Sequence, residues 1–232
     1  MEKLLLGIDD AGRGPVLGPM AMAGILIRES QEQELKEKGI KDSKLLLPRK
    51  RAELLSFIEK ETLANKLILI TPKEIDTGFG EGYNLNEVEA LAAASIIDEL
   101  TTKITQEQRK ELKIIIDCPS INTSRWKEQV INFLREKNIG EKVSCEHKAD
   151  FYHPVVSAAS ILAKVNRDRE IEKLKREYNI DFGSGYPSDP KTVDFLNKNH
   201  SNPKFKGLFR ESWATFKQAG IKTSVDKQKK LL

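Results

Sequence analysis

Two short apolar runs of this chain end on aspartate, and this pattern restricts the fold more than any other feature of the sequence. Residues 3–9 form the first run, which is followed by Asp10 and a glycine-rich segment, and residues 112–117 form the second, which ends at Asp117. Apolar runs of this length that stop at acids and glycine are typical of buried β-strands. Ligands of open α/β sheets bind at the carboxyl ends of the strands, so we expect Asp9, Asp10 and Asp117 to converge there. A lone strand-end aspartate more often caps a turn, and the pattern alone leaves that alternative open.

The periodicity of the remaining chain predicts helices that alternate with further strands. Segments rich in glycine and proline predict loops at residues 12–19 and 183–190. The order of elements predicts an α/β sheet covered by helices, in one domain over residues 1–190 with a helical C-terminal appendage over residues 191–232 that packs on it. The predicted strands cover residues 3–9, 20–27, 66–71, 112–117 and 142–145, and the predicted helices cover residues 48–60, 84–100, 123–136 and 154–178, with short helical segments around 193–197 and 210–219.

The composition is that of an ordinary globular chain. Of its 232 residues, 32% are charged and 39% hydrophobic, and no apolar run approaches the roughly 20 residues that a membrane span needs. The first residues lack a signal-peptide pattern, so we expect a cytoplasmic protein with no membrane partner. Cys118 and Cys145 form no CxxC pair and are expected to be reduced thiols. The net charge of +4 permits nucleic-acid binding without demonstrating it.

The chemistry of the three strand-end aspartates favours hard metal ions. Clustered carboxylates repel one another unless cations hold them together. Ligand sets made only of oxygen suit Mg²⁺ or Mn²⁺, and two such ions can activate a water and stabilise the leaving oxygen of a phosphodiester. His147 and His153 lie near Asp150 in the sequence, but the spacing of zinc ligands is absent. The glycine patterns of dinucleotide-binding and P-loop proteins and the serine elbow of hydrolases are absent as well.

Two glycine-rich loops carry further candidate binding residues. Gly12-Arg13-Gly14 follows the first acids directly in the chain. Glycine lets the backbone approach a ligand closely and its N–H groups bind phosphate, and arginine adds a rigid fork of donors, although a tight turn with a surface arginine is the alternative. Tyr186 lies between a glycine and a proline, where a ring either stacks on a sugar or base or packs beneath its own loop. The tail from residue 217 holds five lysines, which favours a solvated helix face that also attracts phosphates.

Several segments together resemble the type 2 ribonuclease H family, and specifically ribonuclease HII. The matches follow one another in the family's order and span most of the chain. Jointly they are far more specific than any one of the motifs above. They are Gly7-Ile8-Asp9-Asp10-Ala11-Gly12-Arg13-Gly14-Pro15, Lys41-Asp42-Ser43-Lys44, the strand end at Asp117, His147-Lys148-Ala149-Asp150 with residues 154–165, Gly183-Ser184-Gly185-Tyr186-Pro187-Ser188-Asp189-Pro190, and Arg210-Glu211-Ser212-Trp213.

The resemblance implies a fold and a metal site. The fold is a ribonuclease H-like mixed sheet flanked by helices, with a helical C-terminal region. The metal-binding catalytic carboxylates are implied to be Asp9, Asp10, Asp117 and Asp150. The implied cofactors are divalent ions, Mg²⁺ or Mn²⁺, with two ions during catalysis.

The resemblance also implies a substrate and the residues that recognise it. The implied reaction is hydrolysis of the RNA strand of RNA/DNA hybrids and cleavage 5′ of single ribonucleotides in duplex DNA, which leaves 3′-hydroxyl and 5′-phosphate ends. The backbone of Gly12-Arg13-Gly14 is implied to sense the 2′-hydroxyl, with Tyr186 stacking on the following sugar, and Lys44 is implied to contact a phosphate. We expect a monomer whose partners are these nucleic acids, with a sliding clamp as an open alternative.

One position departs from the family pattern. Asp10 stands where the family usually has Glu, which keeps the charge but shortens the side chain by one methylene. Displacements near 1 Å at a catalytic group cost about a hundredfold in rate. A hybrid-binding protein with reduced activity is therefore one alternative. The sister family ribonuclease HIII is another, and it usually has an extra N-terminal domain for which this chain has no room before Asp9.

Overall fold

A mixed β-sheet flanked by helices confirms the predicted fold class. The computed structural model describes residues 2–40 and 47–219, and within this part of the chain five strands form one sheet in the order β3-β2-β1-β4-β5. Strand β1 runs antiparallel to β2 and parallel to β4, and β4 runs parallel to β5. The strands are β1 (Leu4–Ala11), β2 (Met20–Arg28), β3 (Ala64–Ile70), β4 (Leu112–Asp117) and β5 (Val143–Glu146).

The helices of the described residues include every long helix that the sequence predicts. The bounds of α8 coincide with the predicted ones, and those of α2, α4 and α6 differ by one to three residues at an end. These helices are α1 (Glu32–Glu37), α2 (Pro48–Glu61), α3 (Pro72–Gly80), α4 (Leu85–Thr101), α5 (Gln106–Lys110), α6 (Thr123–Phe133), α7 (Ala149–Tyr152), α8 (Pro154–Tyr178) and α9 (Pro190–Asn199). A further short helix covers residues 214–219, within the predicted segment 210–219.

Helix α3 is an element that the sequence analysis missed. Its start is a capping box in which the Thr71 hydroxyl accepts a hydrogen bond from the Glu74 N–H at 3.2 Å, while the Glu74 carboxylate accepts one from the Thr71 N–H at 2.7 Å. Pro72 occupies the first helical position, where its missing N–H costs nothing. The signal was therefore present in Thr71-Pro72-Lys73-Glu74, a threonine followed three residues later by glutamate.

The described residues divide into two units by their internal contacts. The first unit comprises the chain up to Ala11, Ala21–Leu69 and Asn84–Asn166, and the second comprises Gly12–Met20, Ile70–Tyr83 and the chain from Arg167 onward. Residues on both sides of position 190 belong to the second unit, and the predicted domain boundary at that position stays a prediction. None of the helices within the described residues is both long and apolar enough to cross a membrane.

The core of the first unit lies where the start of α8 packs on the sheet. Val155, Val156 and Ala159 of α8 belong to the same buried cluster as the inward-facing residues of β1 and β2. The helix approaches the strand very closely at Gly7, because a Cβ on that glycine would lie 2.5 Å from the carbonyl carbon of Val155. Any larger residue at position 7 would push the helix off the sheet. The close approach places the start of α8 directly against β1.

The core of the second unit is aromatic. The rings of Phe195 and Phe205 meet edge to face with centroids 5.1 Å apart, and the ring of Phe209 stacks on Phe195 at 5.8 Å. Val16, Leu17 and Ile171 are buried in the same cluster. Aromatic pairs in these geometries add stabilisation beyond the apolar area that they bury.

Candidate active site

Three of the four predicted carboxylates lie at the ends of two neighbouring strands. Asp9 and Asp10 are near the end of β1, and Asp117 is the last residue of β4. Ile8 is paired with Ile116 in parallel register, so Asp9 and Asp117 follow it on adjacent strands. The three acids therefore lie at or near the ends of neighbouring strands, as the strand pattern predicts, and their role as one site stays a prediction.

Asp9 is the most strongly perturbed carboxyl of this group. Its side chain is buried, at 5% exposure, and burial is the main reason that its pKa is raised well above the ordinary value; the charges of Asp10 and Asp117 raise the pKa further. Hydrogen bonds from Ser160 and from the Asp10 N–H, the latter at 2.7 Å, favour the ionised form but do not offset these effects. Three carboxyl groups therefore interact unfavourably in the protein alone.

Asp117 is tied to the turn that carries Asp150. The Ala149 N–H donates a hydrogen bond of 2.8 Å to the Asp117 carboxylate. Lys148 precedes Ala149 in the left-handed conformation, with a φ of 58°, and directs the chain into α7. Asp150 in α7 is buried at 4% exposure, and its carbonyl accepts a hydrogen bond from the Ser157 hydroxyl. The fourth predicted acid is therefore held by the same strand end as the third.

The donor chemistry of these residues fits a hard cation. Their oxygen donors match Mg²⁺ and Mn²⁺, and a cation would relieve the repulsion that raises the pKa of Asp9. Within the residues that the structure describes, however, no three His, Cys, Asp or Glu side chains are arranged as ligands of a single ion. The fit therefore rests on donor type and charge, and not on preformed coordination geometry.

The Gly12-Arg13-Gly14 loop is held through its backbone carbonyls by the side chain of Arg210. This side chain is fully buried, and it donates hydrogen bonds to the carbonyls of Gly12 at 2.7 Å, Arg13 at 3.1 Å and Gly18 at 3.0 Å. Gly12 has a φ of +89°, a conformation that residues with a Cβ rarely adopt. Because the carbonyls bind Arg210 and Gly14 is exposed, the loop backbone is fixed at its base and open at its tip.

The Tyr186 loop packs against the same glycine loop. The Gly185 carbonyl accepts hydrogen bonds from the N–H groups of Val16 at 2.8 Å and Leu17 at 3.3 Å. A Cβ on Gly14 would lie 3.6 Å from the Tyr186 ring, so the ring lies beside this position, where a side chain would meet it. Tyr186 itself is half-buried. The two segments that the sequence analysis singled out separately are thus joined by their backbones.

Two functional candidates were missed at the sequence level. Ser160 entered the sequence analysis only within residues 154–165 of the family resemblance, and its hydrogen bond to Asp9 had no signal in the sequence. Arg210 was noted only as part of the C-terminal block. Its position directly after the apolar Leu208-Phe209 was a signal that Arg210 could be buried. A fully buried arginine needs several hydrogen-bond acceptors, so burial would have indicated a role in holding backbone carbonyls.

Other predicted residues lie elsewhere or beyond description. Lys44 and the lysine-rich tail beyond residue 219 lie outside the described residues, and their predicted roles stay predictions. His153 is paired with Glu146, with 2.9 Å between its Nε2 and a carboxylate oxygen. Cys118 and Cys145 are free thiols, as expected.

Comparison with known proteins decides the family. The family model described as ribonuclease HII matches residues 6–216. The chain belongs to the ribonuclease HII family. It is 41% identical to the ribonuclease HII of Methanocaldococcus jannaschii, over 99% of both chains. Its fold is similar to the crystal structure of ribonuclease H2 from Pyrococcus horikoshii, with a TM-score of 0.80, 36% identity and coverage of 94% of this chain and 98% of the other. It is also similar to the structure of the PCNA:RNase HII complex from Archaeoglobus fulgidus, with a TM-score of 0.76, 34% identity and coverage of 90% and 95%.

Family membership confirms the enzyme class. The chain is an endoribonuclease that acts on the RNA of RNA/DNA hybrids, and ribonucleases H of this kind depend on divalent metal ions. The sequence analysis left the sister family ribonuclease HIII open, and the relative at 41% identity over 99% of both chains is a ribonuclease HII.

Proposed function

We propose that this enzyme also cuts duplex DNA on the 5′ side of a single ribonucleotide. The observation that carries the proposal is the joined pair of loops: the Gly185 carbonyl accepts hydrogen bonds from the N–H groups of Val16 and Leu17, and the Tyr186 ring lies beside Gly14, 3.6 Å from where a Cβ would be. A glycine backbone and an aromatic ring are thereby presented together. The glycine backbone suits close contact with a 2′-hydroxyl, and the aromatic ring suits stacking on the sugar that follows the ribonucleotide.

The glycine loop is proposed to sense the ribonucleotide. Only the 2′-hydroxyl distinguishes the two kinds of sugar at a cleavage site, and a backbone without Cβ atoms can approach it closely. Arg210 holds the carbonyls of Gly12 and Arg13, so the loop does not need to become ordered when substrate binds. A preordered loop avoids part of the entropic cost of binding.

Tyr186 is proposed to read the next sugar. A ring stacked on that sugar favours a deoxyribose, because an added hydroxyl would crowd it. The ring thus prefers a junction where DNA follows RNA. Arg13 and Lys44 are proposed to bind phosphates, Arg13 through the donors of its guanidinium group.

Asp9, Asp10, Asp117 and Asp150 are proposed to hold two divalent ions, Mg²⁺ or Mn²⁺. When bound, such ions supply an activated water and stabilise the charge on the leaving oxygen. The water oxygen bonds to phosphorus and the bond from phosphorus to O3′ breaks, which leaves a 3′-hydroxyl and a 5′-phosphate. Ser160 and the Ala149 N–H orient Asp9 and Asp117 through the hydrogen bonds described above.

The experiment that tests this function is cleavage of a DNA duplex that contains one ribonucleotide. We expect Mg²⁺- or Mn²⁺-dependent cutting on its 5′ side, with EDTA abolishing it and a zinc-selective chelator leaving it intact. An all-RNA strand paired with DNA is the positive control. Cleavage of the hybrid alone would limit the enzyme to hybrids. Binding of both substrates without cutting would support the alternative that Asp10 leaves a hybrid-binding protein of reduced activity.

The protein is further proposed to act as a monomer, with a sliding clamp as a candidate partner. The clamp is supported by the similar structure from Archaeoglobus fulgidus, which contains PCNA together with a ribonuclease HII. Size-exclusion chromatography of this protein with and without a clamp tests both points.

A further inference from the structure

Arg167 is a buried charge on an otherwise apolar stripe of α8. Residues spaced four apart along this helix are all buried, and they are Val155, Ala159, Ala163, Arg167 and Ile171. Such spacing defines one face of a helix, which is normally apolar when buried. Arg167 is 2% exposed. Burying a guanidinium costs free energy unless its surroundings compensate for the lost water, so its contacts indicate why it is there.

The Arg167 side chain contacts both loops of the proposed recognition site. Its guanidinium carbon lies 5.3 Å from the centre of the Tyr186 ring, within the range of a cation–π interaction. One terminal nitrogen donates a hydrogen bond of 3.3 Å to the Ser184 carbonyl in the same loop. A Cβ on Gly12 would lie 2.2 Å from Nε and 2.4 Å from Cδ of Arg167, so the arginine occupies the space that a side chain at position 12 would need.

Arg167 makes fewer hydrogen bonds than we expect of a buried arginine whose role is only structural. Among the described residues its Nε has no hydrogen-bond partner, and its ion pair with Asp168 is long, at 3.6 Å. Arg210, which is equally buried, instead donates to three carbonyls. The contacts of Arg167 are concentrated on the tyrosine ring and on Gly12. An arginine that served only packing would be replaced with little loss by an apolar side chain of similar length.

We propose that Arg167 is a positioning residue that sets the preference of this enzyme for RNA–DNA junctions. Its guanidinium covers one face of the Tyr186 ring and contacts Gly12, and so fixes the ring relative to the glycine backbone. A Cβ on Gly14 would lie 3.6 Å from the ring, so the arginine holds the ring next to the exposed part of the glycine loop. The inference rests on the proposed cleavage at single ribonucleotides and names the residue that tunes it.

The matching variants are Arg167→Met and Arg167→Lys. Methionine keeps an apolar stem but removes the charge and the planar stack. Lysine keeps the charge but lacks the planar guanidinium group. Only that planar group can stack on an aromatic face and donate to a carbonyl at the same time. Arg169→Met is the control, because Arg169 lies two residues further along α8 and is exposed.

The measurement is kcat/KM of the full-length protein on two duplexes, one with a single ribonucleotide and one with an all-RNA strand. We expect Arg167→Met to lower the ratio of kcat/KM on the single-ribonucleotide duplex to kcat/KM on the all-RNA hybrid about tenfold, since one well-placed cation–π contact corresponds to roughly this factor. Arg167→Lys should lie between Met and wild type, and Arg169→Met should match wild type.

The effect should also depend on the tyrosine. In a Tyr186→Ala background, Arg167→Met should leave the ratio unchanged, because no ring remains to position. An equal loss on both duplexes, or a ratio that falls as much without the ring as with it, would overturn the inference. If Arg167→Met does not fold, the ratio for Arg167→Lys decides. Failure of the wild type to cut the single-ribonucleotide duplex would instead refute the proposed function itself.

Discussion

The carboxylate group of the first unit and the loop pair of the second unit differ in how far each is satisfied by the protein alone. In the first, Asp9 is buried and is repelled by Asp10 and Asp117. In the second, the Gly12 carbonyl binds Arg210 and the Gly185 carbonyl binds two N–H groups. A cation would relieve the repulsion in the first region, whereas these two carbonyls of the second region already have partners within the protein. Substitutions in the carboxylate group should therefore affect catalysis and metal binding, whereas substitutions in the loop pair should affect the choice of substrate.

The largest expected effect is the loss of a carboxylate from the first region. Asp117→Asn and Asp150→Asn should each reduce kcat on an RNA/DNA hybrid by at least about a hundredfold, since a neutral amide holds a divalent ion poorly and misplaces the reacting groups. Binding of the hybrid should persist, because backbone and sugar contacts come from other residues. Cleavage rates and gel shifts measure the two properties. Asp194→Asn is the control, as Asp194 is exposed and forms an ion pair with Lys198 on the surface of α9. Near-normal rates in both test variants would refute the carboxylate assignment.

The second effect concerns the loop region and should be selective. Tyr186→Ala should lower kcat/KM on the single-ribonucleotide duplex about tenfold or more, and much less on the all-RNA hybrid, where every following sugar is already a ribose. Tyr178→Ala is a poor comparison because its ring packs on Phe205, whereas Tyr152→Ala is suitable because Tyr152 is 67% exposed. Equal losses on the two duplexes would leave Tyr186 as a packing residue of its loop.

The two regions also differ in how well the sequence predicts them. Strand ends at Asp9 and Asp117 follow from a local pattern of apolar residues stopped by acids, and the parallel register then brings them together. The fixation of the loops depends on contacts between distant residues, such as Arg210 with Arg13, which are 197 positions apart. No periodicity encodes such contacts. Arg167 shows the same limit, because its charge is visible on the buried stripe of α8 but its partners in two loops are not.

The third effect tests the departure from the family pattern within the first region. Asp10→Glu should keep the wild-type rate or raise it, by up to about tenfold, because it restores the usual length of the ligand. This is smaller than the hundredfold that a displacement near 1 Å costs, since the chain can adjust around either acid. Hybrid cleavage with Mg²⁺ and with Mn²⁺ measures it. A collapse of activity would mean that the site has been rebuilt around the shorter side chain.

The last effect is on stability and not on activity, and it separates the two regions most directly. Mg²⁺ or Mn²⁺ at about a hundred times its dissociation constant should stabilise the folded protein by about 2.7 kcal/mol, because it binds the folded carboxylate group and relieves the repulsion on Asp9. For a chain of this size that corresponds to a rise of about 5–10 °C in the midpoint of thermal unfolding. Asp117→Asn should lose most of this rise, since it removes a proposed ligand and part of the repulsion at once. Tyr186→Ala should keep the whole rise, because the loop pair is satisfied by its own hydrogen bonds. Calorimetry of the three proteins with and without the ion measures the rise in the unfolding midpoint. If the rise is the same in Asp117→Asn as in wild type, the stabilising ion binds elsewhere on the protein. If the rise is lost in Tyr186→Ala, the two regions are not independent.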